Sequence, residues 1–559
     1  MSPQKQVFQT SSSIRWNTFR WGSRLVIFVL ILMIPIVWIT LARGYKPGLP
    51  RLISSDTVSG KAINPIHPLA FNRRQNKKYR GFNDFLKVKR KNEDLIRKEK
   101  AVEFNERIRA GFYVDYDPQS FFSLQNYIDK MNVVIPEWLH IDKTSDTLIM
   151  HIDNDSYTLM KHHDVKVLPL INNIDVSSNN GTWDSEMLDR ILRTPAKRNR
   201  LLKDLITYID RYKLQGINVD FEELKESSVV PMRNFQKQLY DSLHKRGLLV
   251  TQDIVPSDDN FDPRELSRYN DYLFLMAYDQ HYSTSTPGGL SEQRWVEKTM
   301  DEAASAIPSS KIVLCIAGYG YDWPEDHEAT NVTYQEALST SKANNAPIDF
   351  DNNTYNCFYQ YVNNGIKHNV YFVDAAGNFN TMRFADEYGA AGVALWRLGS
   401  EDSRLWRFFN RDLSNDALKK EPFDYSSLSH VELTTEKPDY IGDGEILDVV
   451  SEPGKGEIDI QIDSTENIIS EQTFKQLPTR FVIRKFGQVN KQVILTFDDG
   501  PDPLYTPQIL DILEKEKVPA AFFVIGINAE DHLPVLKRIY REGFEYHLIK
   551  LRCVCRHSC

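Results

Sequence analysis

Gln215-Gly-Ile-Asn-Val-Asp-Phe-Glu-Glu223 is the stretch on which the fold turns. Asn218, Asp220 and Glu222 alternate with Ile217, Val219 and Phe221, the period of a β-strand whose successive side chains point to opposite faces. One row is apolar and suits a layer of packed helices. The other is polar, ends in acids, and suits an enclosed, wettable interior. Taken alone, the acidic cluster reads equally as the N-cap and solvated first turn of a following helix.

The flanking sequence separates these readings. Apolar runs of strand length recur at GFYVDY (111–116), NVVIPEWLHI (132–141), VKVLPLINN (165–173), QGINVDF (215–221), LLVTQDIV (248–255), DYLFLMAYD (271–279), KIVLCIAGYG (311–320) and GVALWRLG (392–399). Between several of them lie stretches of helical periodicity, such as 198–212, 232–246 and 294–306. Eight strands alternating with helices over about 300 residues predict an α/β fold, a (β/α)8 TIM barrel, over 105–411. In such a barrel the polar row of 215–223 faces the interior and Glu222 comes last, at the C-terminal mouth where barrel active sites lie. Water-excluding walls there raise the pKa of a glutamate, which a general acid requires in order to keep its proton near neutrality.

The 559 residues are 41% apolar and 26% charged, a globular composition that excludes a disordered chain. Residues 1–100 carry 20 Lys/Arg against 5 Asp/Glu, so the remainder is strongly acidic, which argues against nucleic acid as a partner. Five cysteines, three of them in the last seven residues, exclude a disulfide-built scaffold. The uncharged 18-residue run from Leu25 to Ala42, LVIFVLILMIPIVWITLA, reads as one transmembrane helix; a cleaved signal peptide and a buried core helix are the alternatives. Lys5, Arg15, Arg20 and Arg24 precede it without an acid, which favours a cytoplasmic tail over 1–24 and places the chain beyond Ala42 on the extracytoplasmic side of the cell membrane. Residues 43–104 read as a basic tether.

Four motifs carry a family resemblance. Gly216-Ile-Asn-Val-Asp-Phe-Glu222, Met276-Ala-Tyr-Asp279, Gly318-Tyr-Gly-Tyr-Asp-Trp323 and Trp396 within GVALWRLGSED resemble, in order, the strand motifs of family 18 glycoside hydrolases, the chitinase-like enzymes. The wording is most similar to the branch that includes spore-cortex hydrolases. The resemblance implies a substrate-assisted retaining mechanism on β-linked N-acetylglucosamine polymers, peptidoglycan among them, without a cofactor. Glu222 is then the acid, Asp220 orients the substrate's acetamido N–H, and Tyr278 holds its oxygen. Trp396 becomes the floor under the sugar, with Asn218, Asp279, Tyr319 and Trp138 as further substrate-binding residues and Tyr321, Trp323 and Asn172 as companions. A non-catalytic carbohydrate-binding barrel, or a scaffold beside a polysaccharide-synthesis complex, is the rival reading; such lectins typically lose the glutamate that is kept here.

Two positions depart from the family pattern D-x-x-D-x-D-x-E, with Gln215 and Asn218 standing where aspartates are usual. Asn218 is expected to offer Asp220 a hydrogen bond. Loss of both carboxylates is expected to weaken the charge coupling that tunes Asp220 and Glu222.

Residues 412–490 turn acidic, with Gly/Pro punctuation and alternating runs such as GEIDIQID (456–463), and read as a small β-rich connector. From 491 the chain changes again. Val493-Ile-Leu-Thr-Phe-Asp-Asp-Gly-Pro-Asp502 resembles the first motif of polysaccharide deacetylases, the family 4 carbohydrate esterases. The resemblance implies Asp498 as base and Asp499 as ligand to a divalent, zinc-like metal. The H-x-x-x-H pair that completes that site is missing, and 553–559 holds Cys553, Cys555, His557 and Cys559 instead, too closely spaced for a usual structural zinc site. The segment is therefore expected to be a truncated domain with an aberrant carboxyl end, to hold no functional metal and to lack deacetylase activity.

Overall fold

The computed structural model describes residues 107–550 apart from 178–180, 257, 352, 434–437, 465, 489–492 and 494, and for 548–550 only the backbone. The chain divides into two units, Met1–Pro65 and Ile66–Cys559, and every described residue belongs to the second. The run 25–42 read as a membrane helix, the tether 43–104 and the cysteines of 553–559 thus lie outside the described residues. Among the described residues no helix is long and apolar enough to cross a membrane.

Eight strands form the centre: β1 (Ile108–Tyr113), β2 (Val133–Ile141), β3 (Leu170–Asn172), β4 (Gly216–Asp220), β5 (Leu249–Ile254), β6 (Tyr272–Met276), β7 (Ile312–Ala317) and β8 (Gly392–Trp396). They pair in parallel in chain order, and β1 also pairs with β8, so the sheet closes into a TIM barrel. The seam needs a glycine. Gly392 lies opposite Ile108, and a Cβ on it would stand 2.0 Å from the Ile108 carbonyl oxygen.

Strand alternation sorts the apolar residues into two layers. Phe112, Ile135, Leu170, Phe274, Val313 and Ala394 fill the barrel interior, whereas Ile217, Val219 and Phe221 of the deciding stretch join the outer core beneath the helices. The helix Pro195–Tyr212 shows how that outer layer is built. It opens on proline, whose missing N–H would be unpaired at that position anyway, buries Leu201, Leu205, Tyr208 and Ile209 along one stripe, and stops at Lys213 in the left-handed region, φ 52°.

Between β7 and β8 the chain inserts a five-stranded antiparallel sheet, Tyr319–Pro324, Thr330–Thr333, Asp349–Phe350, Cys357–Asn363 and Ile366–Phe372, with the helix Tyr334–Ala343. The run 311–320, taken from sequence as one strand, holds both β7 and the start of this insertion. The connector region contains two three-stranded sheets. One of them is bound to the barrel: Asn380 exchanges two 2.8 Å hydrogen bonds with the backbone of Ile469, which is itself buried in the outer core. Farther on, strands Leu495–Gly500, Ala520–Ile525 and Glu545–Lys550 pair in parallel, with Leu510, Leu513, Phe522, Val524 and Ile539 as a small core.

Candidate active site

Strand β4 delivers the acids. Its inward row runs Asn218 then Asp220, and the polypeptide leaves the sheet just before Glu222. Register places Asn172 of β3 opposite Asp220, while the Asn218–Thr251 and Val219–Gln252 pairs bring Asp253 of β5 alongside it on the other flank. Asn173, fully buried, fixes the backbone beyond the strand: its Oδ1 accepts from the Glu222 N–H at 2.9 Å and its Nδ2 donates to the Glu222 carbonyl at 3.1 Å. The carboxyl of Glu222 is left outside that clamp.

Burial is the dominant electrostatic cause throughout the site. It raises the Glu222 carboxyl well above the usual carboxylate range, with Asp220 and then Asp279 adding to the effect. Asp220 is raised by burial, then by Asp253 and Glu137. Asp279 is pushed up to about 6 by burial, against the opposing hydrogen bonds from Tyr319 and Tyr321. The Tyr319 hydroxyl donates to Asp279 Oδ1 at 2.5 Å. Tyr278, in the segment after β6, is buried and raised by desolvation, then by Cys315, Asp253, Asp220 and Asp279. Glu222, Asp220, Tyr278, Asp279 and Tyr319 therefore converge on one end of the barrel.

Aromatic rings extend from this cluster along the insertion. Tyr278 meets Tyr319 at 6.1 Å between centroids, Tyr319 meets Tyr321 at 5.7 Å and Tyr321 meets Trp323 at 5.3 Å. Trp396, half-buried at the end of β8, packs edge-on against Phe112 at 5.2 Å. Asn172 donates through Nδ2 to Glu137 Oε1 at 2.8 Å and meets His140 Nδ1 with its Oδ1 at 2.9 Å.

Two expectations are corrected. Trp138 is not a substrate-binding residue: it is 0% exposed, and its position on β2 turns it into the outer core against Tyr157. Its neighbour Glu137, one residue earlier and therefore on the opposite face, is the one that reaches the carboxylate cluster. Asn218 does not bond Asp220. Its Nδ2 donates to Asp253 Oδ2 at 2.8 Å and its Oδ1 accepts from Thr251 at 2.6 Å. Gln215 and Asn218 leave the β4 stretch without two of the pattern's carboxylates, and Asp253 brings a buried carboxylate beside Asp220 from β5. Gln215 itself ties down backbone, accepting from the Val167 N–H and donating to the Lys213 carbonyl, both at 2.9 Å.

Glu137, Asp253 and Asn173 were missed from sequence. The signal for the first two was alternation: Val133, Ile135 and Glu137 share a parity, as do Thr251 and Asp253. Asn173 left no comparable signal, since its role depends on where the turn after β4 comes to rest.

In the carboxyl-terminal region Asp498 and Asp499 are exposed at the end of Leu495–Gly500, and Asp499 adopts φ 63°. Its carbonyl accepts from Asn528 at 2.8 Å, whereas His547 stacks on Phe523. Among the described residues no group of three or more His, Cys, Asp or Glu is placed to hold a metal ion. The described residues alone do not assemble the zinc-like site that the motif implies.

A closed barrel that gathers a half-buried glutamic acid, its pKa raised by desolvation, and an adjoining aspartate at one end, with aromatic rings leading away, has what hydrolysis of a glycosidic bond requires, and it defines a glycoside hydrolase. The chain belongs to the glycosyl hydrolases family 18, whose family model matches residues 108–402, and it carries a polysaccharide deacetylase fragment matched over 487–548. It is 24% identical over 313 residues to the uncharacterized glycosylase YvbX of Bacillus subtilis, covering 53% of this chain and 90% of that protein. It is 25% identical over 255 residues to the cortical fragment-lytic enzyme of Bacillus subtilis, covering 43% of this chain but only 58% of that enzyme. The fold matches a chitinase from Chromobacterium violaceum with a TM-score of 0.51 and 22% identity, over 55% of this chain and 99% of that one.

Proposed function

We propose that the barrel cleaves β-linked N-acetylglucosamine-containing polysaccharide, peptidoglycan included, by substrate-assisted retaining hydrolysis. The observation that carries this reading is Asp220 at the inward end of β4 with Glu222 two residues beyond it, the Glu222 carboxyl raised by burial and then by Asp220. Glu222 protonates the glycosidic oxygen while the substrate's own acetamido oxygen attacks the anomeric carbon. An oxazolinium ion forms, the leaving sugar departs with the proton, and water activated by the now ionised Glu222 opens the ring. Asp220 accepts the acetamido N–H and offsets the positive charge that develops there. Tyr278 donates to the acetamido oxygen and holds it in line, and Trp396 supports the ring by stacking. Asp279, held by Tyr319, extends the polar wall. A binding barrel has no use for a desolvated acid, which favours hydrolysis over a lectin role.

Retention and acetamido dependence are the direct test. Products should appear first as the β-anomer by NMR, and fully deacetylated chains should resist cleavage. Early α-anomer overturns the mechanism. The cortical fragment-lytic relatives support peptidoglycan as one of the polymers to assay.

We further propose that the run 25–42 anchors the protein as a single-pass membrane helix with the barrel on the extracytoplasmic side, on the strength of its length and the basic residues before it. Protease added to intact cells should then remove the barrel and spare residues 1–24. Complete protection of the barrel overturns this topology.

A further inference from the structure

We propose that Asp253 of β5 is the carboxyl partner of Asp220, the two sharing one proton across the strand boundary, so that Asp253 positions and charges Asp220 in the place where the family's β4 aspartate is replaced by Asn218. The role assigned to Asp220 under the proposed function is assumed; the pairing itself rests on four observations.

The first is register. Asn218 lies opposite Thr251 and Val219 opposite Gln252, so Asp220 and Asp253 are the next pair on adjacent strands, on the same inward face. The second is burial: Asp220 is 6% exposed and Asp253 2%. The third is hydrogen bonding. Asp253 Oδ2 is engaged by Asn218 Nδ2 at 2.8 Å, and Asn218 is held in turn by Thr251 at 2.6 Å, whereas Oδ1 of Asp253 and Oδ1 of Asp220 are each buried without a hydrogen-bond partner. One proton held by the pair would relieve the charge on two buried carboxylate oxygens that no donor reaches.

The fourth is the surrounding charge. The titratable groups that face the pair are Glu137 from β2, Glu222 beyond β4, Tyr278 beyond β6 and Cys315 of β7, and none of these is a cation. Two anions in such a setting repel each other without a counter-charge, so one proton stays with the pair at neutral pH. Burial raises both carboxyls, Asp253 raising Asp220 further and Glu222 raising Asp253. The proton balance is simple. The empty pair carries one proton and one negative charge; when the acetamido nitrogen becomes positive, the negative charge settles on Asp220 and the proton on Asp253, and nothing is gained from or lost to solvent.

The test uses the full chain with Asp253→Asn, Asp220→Asn and the exchange variant Asn218→Asp/Asp253→Asn. In the substrate-free protein at pH 7, wild-type-minus-variant infrared spectra should show a protonated-carboxyl band, distinct from that of Glu222, that either single substitution removes and that the exchange variant restores. On chitooligosaccharide, Asp253→Asn should move the acid limb of the kcat/KM profile at least one pH unit to lower pH, with the exchange variant returning it. A merely structural Asp253 would lower melting temperature or rate at every pH without moving that limb. The proposal is overturned if Asp253→Asn leaves the band or the limb in place. If Asp253→Asn alone does not fold, the exchange variant decides, and a missing band there overturns it as well. The spectroscopic arm needs no turnover, so it stands apart from failure of the hydrolase mechanism, which the product anomer reports.

Discussion

Glu222→Gln should lower kcat on N-acetylglucosamine oligomers by about 10²–10⁴-fold while leaving oligosaccharide binding within a few-fold, because the amide keeps the shape of the side chain and loses only the transferable proton. Single-turnover kinetics and calorimetric titration on the same preparation separate the two effects. The pH dependence has a definite sign. Glu222 acts protonated, and burial raises its pKa from the ordinary 4.5, so activity persists above that value and falls as pH rises through the raised one. Stability follows the same direction. Above about 4.5 the unfolded chain has released a proton that the folded state still holds, so the wild-type protein loses stability as pH rises through this window. Glu222→Gln removes that liability and should melt at an equal or higher temperature at pH 8. Loss of binding together with a lower melting temperature would make Glu222 a structural residue instead.

Asp220→Asn should cost about 10²–10³-fold in kcat with little change in KM, the range found when one group that stabilises developing charge is removed from a desolvated site. The carboxylate is asked to offset a charge that exists only in the transition state and the oxazolinium ion, so ground-state binding has little to lose. An equal loss in KM would place Asp220 among the residues that merely hold the sugar. The loss should exceed that of Tyr278→Phe, since a neutral hydroxyl donates one hydrogen bond where the carboxylate also supplies charge.

The position of each strand was legible because period-two alternation is a local property: of the eight runs from 111–116 to 392–399, seven contain a barrel strand whole and the first overlaps the end of β1. Where alternation was set aside in favour of residue type, the reading failed. An aromatic side chain drew attention to Trp138, although the parity of β2 already assigned the interior to Glu137. The insertion between β7 and β8 was not legible, because its short strands are stabilised by pairing with one another over intervals of up to about fifty residues and carry little pattern individually.

The sequence by itself determined the chemistry on offer and its order along the chain: an acid-bearing strand, the Met276–Asp279 segment, the Tyr319–Trp323 segment and Trp396, each complete within a few residues. Only the tertiary structure decided what faces Asp220. Asn218 and Gln215 look from sequence like lost carboxylates, but barrel closure lays β5 beside β4 and sets Asp253 against Asp220 from 33 positions away. Charge coupling depends on distance and dielectric rather than on sequence separation, so a carboxylate missing from one strand can be made good by its neighbour with no mark in the motif.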